Sequence, residues 1–245
     1  MLSILYTGTF KQSPARKSGR VVFPLFRAGL RLCLSVMFVS FESVQFDPIC
    51  GINMSTELPL FLASASPRRK QLLTEAGFVF TTLVPDEHAE DGRLPDELPE
   101  DYVRRLAFQK AKNVADKIDQ GIIIGGDTIV LCGGDILEKP IDRNDARNML
   151  RQLRGQIHYV LSGLCLVKKT ADSETALCRA EFTKLTMKPI SDADLESYLD
   201  TGKWQGKSGS FGYQDGIDWI VVIEGSESNV VGLPMELLQK MLTEQ

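Results

Sequence analysis

Histidine is almost missing from this chain: His88 and His158 are the only two in 245 residues. That leaves little from which to build a His-rich zinc site, and a Ser/His/Asp triad would rest on one of two positions. The five cysteines, Cys33, Cys50, Cys132, Cys165 and Cys178, form no C-x-x-C pair and no disulfide-dense spacing. A reducing, cytoplasmic setting is expected, with most of them serving as small buried hydrophobes. A basic excess is missing too, since the formal net charge is −4. A nucleic-acid surface is therefore not expected, and any affinity for phosphate must be local. Long uncharged apolar runs are also lacking: the stretch from Val21 to Phe41 is interrupted by Pro24, Arg27 and Arg31. A membrane span wants about 20 nearly uncharged residues, so no membrane helix is expected.

What is present suits one α/β domain. An apolar content of 43% over this length can bury a real core. Residues 1–57 stand apart, because Lys11, Arg16, Lys17, Arg20, Arg27 and Arg31 all precede the first acidic residue, Glu42. This is read as a basic extension: either a cleavable or disordered leader, or the result of a start placed ahead of Met54, which is preferred. The domain is taken as 58–245. From Leu60 onward, apolar runs of strand length alternate with helical spacing. Ser66 and Pro67 cap a helix that Gly77 ends. Phe78 to Val84 reads as a strand, Asp86 to Asp101 as an exposed loop, and Tyr102 to Lys117 as an amphipathic helix. Ile122 to Cys132 is a near-continuous apolar strand, its apolar run interrupted by Gly125, Gly126 and Asp127. A turn at Gly133 leads to Pro140, and Asp142 to Arg154 is a helix. Tyr159 to Val167 and Ala176 to Met187 form an antiparallel pair. Ser191 and Asp194 resemble a capping box. A glycine-rich loop over 206–216, a strand from Trp219 to Ile223 and a helix begun by Pro234 complete the chain.

Three constellations carry possible chemistry. The run Ser64-Ala65-Ser66-Pro67-Arg68-Arg69-Lys70 places three cations in the first turn of a helix, where the macrodipole disfavours each by about 0.3–1 kcal/mol. An anion at this turn would offset that, and serine hydroxyls, backbone N–H groups and guanidinium groups suit phosphate. Asp127 lies within an apolar strand, so its carboxylate must meet cations, a metal or hydrogen-bond donors, or sit at the strand's mouth. A structural salt bridge explains it equally well. Lys139 precedes Pro140, which holds it extended. Lys207 and Gln214 belong to the glycine loop, and such loops are weak signals alone. Glu87 and Lys110 read as solvated charges, and Asn229 as either a ligand or a turn residue.

In order, the blocks LASASPRRKQLL, GGDTIV, DILEKP, LRGQIHYVLSGLCLV and GKSGSFGYQ followed by NVVGLP resemble the Maf family of nucleoside triphosphate pyrophosphatases. The resemblance covers residue 60 to the C-terminus, and residues 1–57 have no counterpart in it. It implies a Maf/ITPase-like α/β fold: a mixed, twisted sheet flanked by helices with a central cleft. It also implies a cytosolic homodimer that uses Mg²⁺ or Mn²⁺ to hydrolyse a nucleoside triphosphate to the monophosphate and pyrophosphate. By resemblance, Asp127 is the proton acceptor and Ser64, Arg68, Arg69, Glu87, Lys110, Lys139 and Gln214 complete the site. Arg68, Thr128, Glu138 and Gln214 match the branch acting on dTTP and UTP, rather than the one acting on 7-methyl-GTP.

On this reading Arg68, Arg69, Lys139 and Lys207 balance the triphosphate with a divalent ion, held by Asp127 with Glu87. Asp127 is then either the base or a metal ligand. Gln214 and Thr128 are expected to face a pyrimidine edge. A nucleotide-sensing regulator of cell division and a plain scaffold remain as rivals from other classes; intact Asp127 and Lys139 speak against sensing alone.

Overall fold

The computed structural model describes residues 58–244, and the reading of 1–57 as an extension lies outside them. The sheet contains β1 (Leu60–Ala63), β2 (Thr81–Leu83), β3 (Gly121–Cys132), β4 (Asp135–Leu137), β5 (Ile157–Lys169), β6 (Glu174–Met187) and β7 (Ile220–Glu224). Its order is β2-β1-β3-β5-β6-β7, with β4 hydrogen-bonded to β3. The β2-β1-β3 pairs are parallel and all later pairs are antiparallel, giving a mixed α/β sheet. The helices are α1 (Pro67–Glu75), α2 (Pro99–Ala115), α3 (Arg143–Leu153), α4 (Asp192–Asp200), α5 (Glu227–Val231) and α6 (Met235–Thr243).

Side-chain alternation along β3 assigns the layers. Ile122 and Ile124 pack with Leu72 and Leu73 of α1 and Leu238 and Met241 of α6. Val130, on the same side of the strand, packs with Leu150 of α3 and Leu199 of α4. The opposite side carries Ile123 against Ala107 and Ala111 of α2, and Ile129 against Tyr102 and Val103. Helix α2 crosses the sheet over two glycines: a Cβ on Gly163 would lie 2.0 Å from the Val103 carbonyl oxygen, and one on Gly125 2.1 Å from that of Ala107. Only glycine permits this approach.

The helix signals in the sequence are realised with small shifts. Ser66 caps α1 through the Arg69 N–H, Asp142 caps α3 through that of Asp145, and Ser191 with Asp194 forms the capping box of α4. Helix α2 starts three residues before the expected Tyr102, with Pro99 in its first turn followed by Glu100 and Asp101. The strand expected over Phe78 to Val84 shrinks to three residues, because Gly77 and Phe78 still bond back to the end of α1. The strand expected over Ile122 to Cys132 is present as β3, which begins one residue earlier at Gly121. Asn229 belongs to a short helix rather than a turn.

The cysteine reading needs correction. Cys165 and Cys178 are joined by a disulfide, with Cα atoms 4.0 Å apart. Their pairing follows from the β5–β6 register, which sets them directly opposite one another. Sequence spacing cannot show such a register. Among the described residues Cys132 is the one free cysteine, and it is buried as expected. No helix among the described residues is long and apolar enough to cross a membrane.

Candidate active site

A gap in the sheet creates the site. Strand β1 pairs with β3 only as far as Ala63 opposite Gly125, and β4 joins β3 only from Val130 onward. The edge of β3 from Gly126 to Ile129 is consequently left open between them, and side chains from both faces of the strand reach one cleft. Asp127 comes from the α2 face and Thr128 from the α1 face. The carboxyl ends of β1, β2 and β4 lead into the same opening, the usual location for a ligand in an open α/β sheet. The resulting cleft has a volume of about 530 Å³. Ser64, Arg68, Arg69, Glu87, Lys110, Asp127, Thr128, Lys139, Lys207 and Gln214 all line it.

Asp127 and Lys110 form the buried centre. Lys110 Nζ donates to Asp127 Oδ1 at 2.6 Å and also pairs with Glu90 Oε2 at 2.9 Å. Lys110 is 7% exposed, so it is no solvated charge; the burial of α2 against the sheet carries it inward. Nothing in the sequence singles out Glu90, because it lies in a loop without fixed spacing and is brought to Lys110 only by tertiary folding. Glu87, expected as a metal ligand, is exposed on the cleft wall. Among the described residues no group of three His, Cys, Asp or Glu side chains is arranged to hold a metal.

Arg69 turns back from the start of α1 into the wall. Its Nε donates to the Gly232 carbonyl at 2.7 Å, one terminal nitrogen to Ser64 Oγ at 3.3 Å and the other to Thr128 Oγ1 at 3.1 Å. This explains how the first turn of α1 tolerates a cation: the guanidinium leaves the helix end and is satisfied elsewhere. Burial lowers its pKa, while nearby Asp127 opposes that shift. Arg68 stays at the rim, where its Nη2 donates to the Gly206 carbonyl at 3.4 Å. Thr128, expected to face a base, has its hydroxyl shared between Arg69 and Ser162, the latter at 2.9 Å.

The remaining wall comes from the segment after α4. Ser208 Oγ donates to the Thr128 carbonyl at 2.6 Å, and the Gly209 N–H donates to the Glu138 carbonyl at 3.1 Å. Glu138 in turn accepts from the Tyr102 hydroxyl at 2.6 Å. These contacts tie the glycine loop, the Lys139 segment and α2 together, with Lys139 exposed at the lip. Lys207 is 9% exposed and paired with Asp215. Asn229 is fully buried, its amide donating to the Val160 and Glu181 carbonyls and to Thr183 Oγ1. It does not line the cleft itself, and its amide braces the Val160 backbone behind the cleft wall.

Comparison with known proteins supplies the context for this geometry. The family described as Maf-like protein matches residues 59–245. A dTTP/UTP pyrophosphatase of Rhodopirellula baltica is 45% identical over 184 residues, covering 75% of this chain and 80% of that protein. A dTTP/UTP pyrophosphatase of Geotalea uraniireducens is 42% identical over 183 residues, covering 74% of this chain and 92% of that protein. A solved nucleoside-triphosphatase / dITP/XTP pyrophosphatase from Mycobacterium abscessus is 14% identical, covers 76% of this chain and 93% of its own, and has a TM-score of 0.36. A likeness that low adds nothing to the fold described above.

Proposed function

We propose that this chain, which belongs to the Maf family, hydrolyses dTTP and UTP to the nucleoside monophosphate and pyrophosphate. The observation that carries the reading is the opening of the β3 edge, which brings Asp127 and the cations Arg68, Arg69 and Lys139 to one cleft. The names of the relatives described above support the substrate class.

A nucleoside triphosphate carries about four negative charges, and its hydrolysis needs those charges balanced and a water held in line with the α-phosphorus. Arg69 is fixed by three neutral oxygens, so its positive charge remains available to a phosphate. Arg68 and Lys139 approach from the rim. Lys110 engages Asp127 through Oδ1, which orients the carboxylate and leaves Oδ2 to accept the proton of the attacking water. Gln214, an exposed amide on the cleft wall, is suited to the edge of a pyrimidine.

The acidic groups fit a divalent ion that arrives with the triphosphate. Asp127 and Glu90 already share one cation, the Lys110 ammonium. Mg²⁺ takes one or two carboxylates and completes its shell with phosphate oxygens and water, so a three-carboxylate cage is unnecessary. Glu87 and Glu90 would hold Mg²⁺ or Mn²⁺, with Asp127 joining them only if it serves as a metal ligand in place of the base, and the ion when bound neutralises phosphate charge as a Lewis acid.

We place the protein in the cytoplasm, where nucleoside triphosphates are made and used. There the Cys165–Cys178 pair would be reducible rather than permanent. A homodimer is supported by an apolar sheet face: Ile157, Tyr159, Phe182 and Val221 are exposed and share the side on which Leu161 lies beneath α2. No nucleic acid is proposed as a partner.

The test is incubation with dTTP, UTP, CTP, GTP and 7-methyl-GTP in the presence of Mg²⁺ or Mn²⁺, with identification of the products. The expected result is dTMP or UMP with pyrophosphate. Release of orthophosphate, or faster turnover of 7-methyl-GTP, would overturn it.

A further inference from the structure

Behind the cleft wall lie two polar side chains, Asp215 and Tyr198, that the reaction described above does not use. Asp215 accepts from Lys207 Nζ through both oxygens, at 2.6 Å and 2.5 Å. The Tyr198 hydroxyl donates to Asp215 Oδ2 at 2.9 Å and accepts from the Gly212 N–H at 3.2 Å. The pair is nearly dry, with side-chain exposures of 11% for Lys207 and 13% for Asp215. Its volume is filled closely: a Cβ on Gly212 would lie 2.4 Å from Lys207 Nζ and 2.5 Å from Asp215 Oδ2. Lys207 and Gln214 line the cleft, whereas Asp215 sits behind them.

We propose that Asp215, anchored by Tyr198, is a positioning residue for substrate binding, holding the Lys207 ammonium in the cleft wall and presenting its chain neighbour Gln214 to the base. The inference rests on the cleft being a nucleoside triphosphate site and adds a binding determinant to it. Three arguments carry it. A nearly buried ammonium needs a counter-charge, and Asp215 is the carboxylate that Lys207 meets. Burial lowers the Lys207 pKa and the Asp215 carboxylate offsets part of that, so the carboxylate favours the ammonium form of this cleft residue. Finally, Gln214 occupies the middle of the short 3-10 turn Tyr213–Asp215, so fixing Asp215 fixes the backbone from which Gln214 projects.

Tyr198 is suited to its part because it is itself immobile. Its ring packs edge-on against Trp219 at 5.3 Å, and its hydroxyl stays protonated because burial and the adjacent carboxylate both raise its pKa. The hydroxyl therefore remains a donor to Asp215 at any ordinary pH.

The experiment compares the intact protein with Asp215→Asn, Lys207→Met and the double variant, using UTP and GTP. Asp215 touches the substrate only through its neighbours, so its loss should appear in KM. A roughly 10- to 100-fold rise in KM for UTP is expected, the worth of a hydrogen bond to a charged group, with kcat changed less than about threefold. The UTP over GTP preference should narrow. The double variant should show a KM close to that of either single one, because both changes remove the same contact. Unchanged KM in Asp215→Asn, a fall in kcat alone, or additive effects in the double variant would overturn the inference. Tyr198→Phe keeps the ring packing and serves if Asp215→Asn does not fold: a severalfold KM rise supports the anchor, and an unaltered KM refutes it. If the unsubstituted protein hydrolyses no nucleoside triphosphate, the functional reading fails first; if it does, the variants test Asp215 alone.

Discussion

Replacing Gly163 by alanine probes the link between the fold and the chemistry. Gly163 stands opposite Asp127 in the β3–β5 register, directly beneath α2. A Cβ there would lie 2.0 Å from the Val103 oxygen, 2.3 Å from the Val103 carbonyl carbon and 2.8 Å from the Arg104 nitrogen. These are backbone atoms of a helix, so no side chain can rotate away. To restore even 3.0 Å, α2 must lift by roughly 1 Å, and overpacking of this kind costs about 1–3 kcal/mol or more. For a domain of this size that corresponds to a fall in Tm of roughly 2–12 °C. The same movement carries Lys110 away from Asp127, lengthening a 2.6 Å contact beyond hydrogen-bond range. A misplacement near 1 Å costs about 10²-fold in rate. Urea denaturation measures the first effect and pyrophosphate release the second. Gly92, whose added Cβ meets nothing within 4 Å, is the control and should change stability by less than about 0.5 kcal/mol on substitution by alanine. If Gly163→Ala matches that control in stability and retains normal turnover, α2 does not position Lys110 in the way described.

Three further outcomes are expected. Asp127→Asn should retain nucleotide binding by calorimetry while pyrophosphate release falls about 10²- to 10⁴-fold; near-normal turnover would remove Asp127 from the mechanism. Arg69→Lys should lose about 1–3 kcal/mol in urea denaturation together with most of the activity, because one ammonium cannot serve Gly232, Ser64 and Thr128 with the same fork; wild-type behaviour in both would count against the anchoring role. His158 is fully buried and desolvation lowers its pKa, so it is neutral in the native state and takes up a proton more readily when unfolded. Its contribution to stability is present above its ordinary value of 6.5 and is lost as pH falls through the lowered one. Denaturation midpoints should therefore decline with falling pH across this window more steeply in the wild type than in His158→Gln, and parallel curves would show that His158 does not set the slope.

Local chemistry made much of this protein legible in its residues. The Ser66-Pro67 start of α1, the Ser191/Asp194 box of α4 and the apolar run of β3 act over a few residues, so the elements they specify can be read along the chain. The order of the motif blocks likewise marked the residues that meet in the cleft. Asp127 was recognisable for a physical reason, since a carboxylate in an apolar strand requires a partner. The identity of that partner was not recognisable: Lys110 looks solvated in a list of helix residues and is buried only because Gly125 and Gly163 let α2 settle onto the sheet.

Tertiary structure alone decided the rest. The opening along β3 depends on where β1 stops and β4 begins, which is a matter of strand register. Glu90 and Ser162 take their contacts from residues distant in sequence, and Asp215 takes its contact within a turn whose conformation the sequence leaves open. The Cys165–Cys178 bond likewise arises from antiparallel pairing across 13 residues. Sequence specifies elements through short-range hydrogen bonds and apolar periodicity, whereas the partners of buried charges are chosen by packing between those elements.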